Sequence, residues 1–130
     1  MSERTTGGCF CGHVRYEITG EPALQVLCFC TDCMKTSGTA GYAGYMVNAS
    51  DFNVVSGEPK VHVKVSKEGR KVARNFCPEC GSNLFGVTEF GLVSVAAGTL
   101  DNPELFQPSG KVFTHDAPHW ARVPSGLKEL

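Results

Sequence analysis

All seven cysteines of this 130-residue chain fall into three short clusters: Cys9-Phe10-Cys11, Cys28-Phe29-Cys30-Thr31-Asp32-Cys33 and Cys77-Pro78-Glu79-Cys80. Few chain features constrain a fold more, because thiols spaced this way must converge to be useful. Side chains two apart on a strand point to the same face, so Cys9 with Cys11, and Cys28 with Cys30, can each grip one ion. Cys77-x-x-Cys80-Gly81 has knuckle spacing, in which a tight turn brings both sulfurs together and glycine accommodates the turn. An odd count fits complete disulfide pairing poorly, and in a reducing compartment clustered cysteines hold metal or do redox work. All-thiolate sets at this spacing suit zinc. An iron–sulfur cluster is the main rival, and the four-cysteine ferredoxin run is absent. Seven unrelated buried cysteines would not cluster so tightly.

Zinc in a structural site wants four ligands, and Cys9, Cys11, Cys77 and Cys80 supply four. Cys28, Cys30 and Cys33 then form a second, three-ligand set with an open position, the feature that separates catalytic from structural zinc. Spacing alone leaves other partitions open. Cys28 and Cys30 could instead complete a tetrahedron with either outer pair, leaving three cysteines as spectators, but three thiols in one hexapeptide favour a shared metal.

The chain is long enough to bury about two thirds of its unfolded surface as one domain, 1–130, and no composition break calls for a second. A net charge of −1 gives no overall attraction to phosphate, which argues against nucleic acid as a partner. The stretch Met1 to Gly8 is polar, unlike a signal peptide, and no apolar run approaches the roughly 18 residues of a membrane span. A cytoplasmic protein is expected.

Alternating apolar and polar residues predict strands over His13–Thr19 and Val61–Ser66, and shorter apolar runs predict more over Leu24–Cys28, Tyr42–Val47, Phe52–Ser56, Val72–Phe76, Asn83–Val87, Leu92–Ala97 and Lys111–His115. Lys35–Gly41 reads as a small-residue loop and Asp101–Glu104 as a helical turn. With no helical period over ten residues and turns recurring throughout, the class is all-β, a single domain of antiparallel sheets.

Other residues have two readings each. Asp32 is a proton carrier or a loop aspartate capping the next turn. His115, Asp116, His119 and Trp120 line a pocket mouth or form a surface corner around a packed tryptophan, while His13 and His62 read as solvent-facing. Six basic residues, Lys60, Lys64, Lys67, Arg70, Lys71 and Arg74, gather on one stretch. They form an anion-binding stripe or, more commonly for such a pattern, a solvated face protecting an edge strand.

Gly8-Cys9-Phe10-Cys11-Gly12-His13-Val14-Arg15-Tyr16, Cys28-x-Cys30-x-x-Cys33 with Ser37-Gly38, Phe76-Cys77-Pro78-Glu79-Cys80-Gly81-Ser82, Ala97-Gly98-Thr99-Leu100-Asp101 and Ala117-Pro118-His119-Trp120 together resemble the glutathione-dependent formaldehyde-activating enzyme family, across roughly Gly7 to Pro124. The resemblance implies a β-tent fold of zinc-ribbon type, a structural zinc on Cys9, Cys11, Cys77 and Cys80, and a catalytic zinc on Cys28, Cys30 and Cys33. It implies two zincs per chain and a carbon–sulfur lyase-type reaction joining the glutathione thiol to formaldehyde as S-hydroxymethylglutathione. Related members also include a centromere-associated protein, so a non-catalytic zinc-stabilised binding module is the rival expectation. Family members commonly carry histidine where Phe29 stands and a basic residue where Met34 stands, and often a histidine where Lys111 stands. His119 interrupts the usual Ala-Pro-Trp. These departures predict a less polar site that lacks a nearby positive charge.

Overall fold

The computed structural model describes residues 4–130. In chain order the strands are β1 (Arg4–Gly8), β2 (Arg15–Thr19), β3 (Leu24–Cys28), β4 (Tyr42–Asn48), β5 (Phe52–Ser56), β6 (Lys60–Val65), β7 (Lys71–Phe76), β8 (Asn83–Thr88), β9 (Leu92–Ala96), β10 (Gly110–Val112) and β11 (Lys128–Glu129), with one α-helix, α1 (Thr31–Ser37), after β3. They form a three-stranded sheet, β1-β2-β5, and an eight-stranded sheet, β11-β10-β3-β4-β9-β8-β7-β6. The all-β class read from the sequence holds. Most ladders are antiparallel, but β10 runs parallel to both β3 and β11 where the C-terminal segment returns along the sheet edge.

One face of the large sheet packs on the small one. Alternation on β2 sends Tyr16 and Ile18 fully inward, where they meet Tyr45, Val47, Phe85, Val93 and Val95 from the large sheet. Phe52 bridges the layers, with its ring centroid 5.3 Å from Tyr16 and 4.5 Å from Phe85. Each fully buried side chain of this size contributes about 1.5–3 kcal/mol of transfer free energy. The loop after β9 is tied back to the small sheet. Tyr16 shares a 2.7 Å hydroxyl hydrogen bond with Thr99, Asp101 takes both arms of the Arg15 guanidinium, and Gly7 bridges Leu100.

The opposite face of the large sheet is hollowed by small residues. Register places Met46, Ser94, Gly86 and Arg74 in one row across β4, β9, β8 and β7, with Val26 beside Gly44 in the neighbouring row. Glycine and serine in mid-sheet leave a floor low enough for a pocket, walled by Val72 and Arg74 at one side and Val26 at the other.

Three expectations change. β1 was not foreseen, because Arg4-Thr5-Thr6-Gly7-Gly8 has no apolar alternation; its pairing with β2 and the Arg4–Glu17 ion pair at 3.2 Å hold it. The expected strand Lys111–His115 stops at Val112, since Phe113 takes a left-handed φ of 55° and starts a 3-10 turn at Thr114–Asp116. The expected loop Lys35–Gly41 is helical as far as Ser37, because α1 starts inside the central cysteine cluster, capped by the Cys30 sulfur at its start and by left-handed Gly38 at its end. Seven residues are too few to display a helical period.

Candidate metal centres

The outer cluster is built by two hairpins. Cys9 and Cys11 lie in the turn between β1 and β2, and Cys77 and Cys80 in the turn between β7 and β8. The Cys9 and Cys11 sulfurs are 3.7 Å apart and those of Cys11 and Cys77 3.8 Å apart. All four sulfurs lie within 4.8 Å of one another. A tetrahedron with bonds of about 2.3 Å has edges of about 3.8 Å, so the donor set fits zinc, whereas a disulfide needs about 2.05 Å. Backbone N–H groups of Val14 and Glu79 donate to the Cys9 and Cys77 sulfurs at 3.2 and 3.4 Å. The Cys80 thiol is held down at about 5 by the Ser82 hydroxyl and then the Ser82 N–H. Burial opposes the charged form at Cys9, but the Val14 N–H and the neighbouring thiols still leave it lowered. Gly81, at φ 79°, lets the knuckle close while its N–H donates to the Cys77 carbonyl at 2.9 Å.

The second cluster is local. Cys28 ends β3, Cys30 caps α1 and Cys33 lies in its first turn, so strand end and helix start fold three sulfurs to within 4.8 Å. The Phe29 N–H donates to the Val112 carbonyl at 3.0 Å, fixing the exit from β3 against β10. The Phe29 ring is fully buried, and Gly41 admits it: a Cβ there would stand 3.2 Å from the ring. Hydrogen bonds from the Cys28 and then the Cys33 thiol pull Cys30 down to about 2, and the Arg70 charge helps. Giving hydrogen bonds to Cys30 and Cys33, together with burial, pushes Cys28 far up. Only one thiol of the set is thus favoured as an anion, and a bound metal would have to displace the protons of the other two.

All three sulfurs face the pocket over the hollowed sheet. Its volume is about 130 Å³, and its wall includes Tyr42, Val72, Arg70, Arg74, Asp32 and Val112. Burial raises the Tyr42 phenol, whose hydroxyl donates to the Ser94 carbonyl at 3.4 Å. Asp32 stands in the first turn of α1, not in an exposed loop, and accepts from Lys64 Nζ at 3.0 Å.

The remaining sequence candidates separate. His13 and His62 are exposed, as expected. His115, Asp116, His119 and Trp120 do not line the pocket, and Trp120 is 66% exposed, neither packed nor facing the thiols. Asp116 reaches Lys67 at 4.0 Å and so joins the C-terminal segment to the β6–β7 hairpin. Phe29 and Met34 are likewise absent from the wall, so their apolar character does not make the site less polar. The positive charge expected to be missing is supplied by Arg70 and Arg74, which read in the sequence as part of a solvated hairpin face. The available signal was alternation: Val72 and Arg74 share one face of β7 while Ala73 and Asn75 take the other.

A small all-β protein with one four-thiol and one three-thiol site, each able to hold a metal ion, is the class that this geometry defines. The sequence profile of the family described as "Glutathione-dependent formaldehyde-activating enzyme" matches residues 4–116, and the chain belongs to that family. It is 29% identical over 127 residues to a Halomonas elongata protein named "Putative glutathione-dependent formaldehyde-activating enzyme", covering 92% of this chain and 80% of that one. A Pyrenophora teres f. teres protein of the same name is 30% identical over 80 residues, covering 60% of this chain and 41% of its own length. A Rhodobacter sphaeroides protein of known crystal structure superposes with a TM-score of 0.61 at 22% identity, covering 79% of this chain and 96% of the other, and so shares the fold.

Proposed function

We propose that this chain is a zinc-dependent carbon–sulfur lyase-type enzyme that joins a thiol to an aldehyde, with glutathione and formaldehyde, giving S-hydroxymethylglutathione, as the first pair to test. Cys9, Cys11, Cys77 and Cys80 would hold a structural zinc, and Cys28, Cys30 and Cys33 a catalytic one. The observation that carries this reading is that the three-thiol set opens into a walled pocket, while the four-thiol set sits at a two-hairpin junction outside that pocket. The family membership and the names of the relatives point the same way.

Zinc held by the three thiols would supply the positive charge that keeps an incoming thiol deprotonated near neutral pH. Three anionic sulfurs make that charge better suited to activating a thiol than to polarising a carbonyl. The N–H of Cys33 donates to the Cys30 sulfur at 3.3 Å, so the start of α1 fixes the position of that ligand. Val26, Met46, Val72 and Val112 line the pocket and give the bond-forming region an apolar wall. The substrate sulfur adds to the aldehyde carbon, the carbonyl π electrons move to oxygen, and that oxygen takes up the proton the thiol gave up. No oxidant or reductant is needed. A cytoplasmic setting, which keeps clustered thiols reduced and free to bind metal, suits both sites.

The test measures adduct formation by NMR exchange against a buffer blank, because the uncatalysed addition also proceeds. Zinc-loaded protein is expected to accelerate exchange and Cys30→Ser to return it to the buffer rate. If the cobalt-substituted protein shows no spectral change with glutathione or any other thiol, the reading falls and the protein is a zinc-stabilised binding module.

A further inference from the structure

Arg70 and Arg74 stand in the pocket wall, and the protein itself leaves both partly unused. Arg74 is half-buried and makes no ion pair and no side-chain hydrogen bond among the described residues. The Arg70 guanidinium lies 4.6 Å from the Phe113 ring centroid and reaches Glu68 at 3.7 Å through one terminal nitrogen, while its Nε is buried with no acceptor. A buried donor without a partner is costly, and native proteins rarely keep one without a use. The carboxylate in the wall, Asp32, is bonded to Lys64 instead. The remaining wall is mostly apolar or small.

Two arginines and three cysteines thus line one small space. Arginine recognises planar carboxylates through paired N–H donors, and a half-buried, water-poor setting strengthens the bond. We propose that Arg74, assisted by Arg70, is the carboxylate anchor that determines specificity in this pocket, and that the thiol it selects is a compact mercapto acid. This rests on the reading of Cys28, Cys30 and Cys33 as the thiol-activating centre. At about 130 Å³ the pocket is well below the roughly 300–1,000 Å³ that encloses drug-sized ligands, so a tripeptide such as glutathione inserts only its thiol-bearing arm.

Three thiols serve as probes of the cobalt-loaded protein: 3-mercaptopropionate, its uncharged amide and glutathione, with dissociation constants taken from the visible spectrum. In parallel, the arginine Nε–H resonances are followed by ¹⁵N NMR. The acid is expected to bind about tenfold or more tighter than the amide, the factor that one charge-assisted hydrogen bond supplies. Glutathione should bind no better than the acid. Arg74→Gln should abolish the preference without changing the affinity of the amide, and Arg74→Lys should restore part of it. Equal binding of acid and amide by the unaltered protein overturns the proposal, and needs no variant to fold. So does equal weakening of both by Arg74→Gln, which would make Arg74 a support for the cysteine thiolates. Tighter binding of glutathione than of the acid overturns the size limit. If the acid shifts the arginine resonances but no thiol alters the cobalt bands, the anchor stands and the metal reading falls. If the bands respond to acid and amide alike while the resonances stay fixed, the anchor falls and the metal reading stands.

Discussion

Single thiols in this protein differ in what they hold together, and substitutions should separate them. Cys77 is fully buried at the junction of two hairpins, so Cys77→Ser removes a donor to a site whose metal affinity would be folding free energy. The expected result is a loss of several kcal/mol, seen as partial or complete unfolding in a chemical denaturation curve. Cys30→Ser keeps an oxygen that can cap α1, so it should cost about 1 kcal/mol or less, while abolishing thiol binding. The reverse ranking would mean that the roles of the two sites are exchanged. Asp101 gives a milder test. Arg15 and then Thr6 hold its carboxyl below the ordinary range, so the pair stabilises the fold above about pH 4 and that contribution is lost as pH falls through the lowered native value. Both partners are substantially exposed, so screening keeps the contribution to about 1 kcal/mol or less. The difference in Tm between the native protein and Asp101→Asn should therefore be small at pH 7, vanish at low pH and shrink in high salt. A difference that grew on acidification would contradict the assignment.

At the scale of elements, the strands that could be read were those whose burial alternates or whose apolar residues run together. β2 announces itself because Tyr16 and Ile18 go to the core while Arg15 and Glu17 do not. β1 and α1 do not, because one is held by backbone pairing and tethers at its ends and the other is shorter than two full periods. The cysteine groups were readable because spacing within each cluster is local; ligand count favoured the four-plus-three partition and the resemblance agreed with it. The pocket was not readable, because its floor is a register property: Gly44, Gly86 and Ser94 come from three strands whose alignment no local pattern fixes. Arg74 is the clearest case. Alternation puts it on the same face as Val72, but only the pairing with Gly86 shows that this face is the hollow one.

The two thiol sites act on the whole molecule unequally, and the difference follows from what each one closes. Cys11 and Cys77 are separated by 66 residues, and their cluster joins a hairpin of the small sheet to a hairpin of the large one. Releasing that link frees a long loop and lets the two sheets part, exposing the Tyr16–Phe52–Phe85 contact between them. Cys28, Cys30 and Cys33 link only the end of β3 to the first turn of α1, a closure that the Phe29 ring and the β10 hydrogen bond maintain without them. Metal removal should therefore proceed in two stages. A chelator titration that follows released zinc by colour and tertiary packing by near-ultraviolet circular dichroism is expected to free a first equivalent with the aromatic signal retained. The second equivalent should leave together with cooperative loss of that signal. The first stage should also end the response to thiols, because the pocket faces only the three-thiol set. Release of both equivalents in one step with unfolding would make the central cluster a structural tie, and a single equivalent in total would remove the catalytic metal from the scheme.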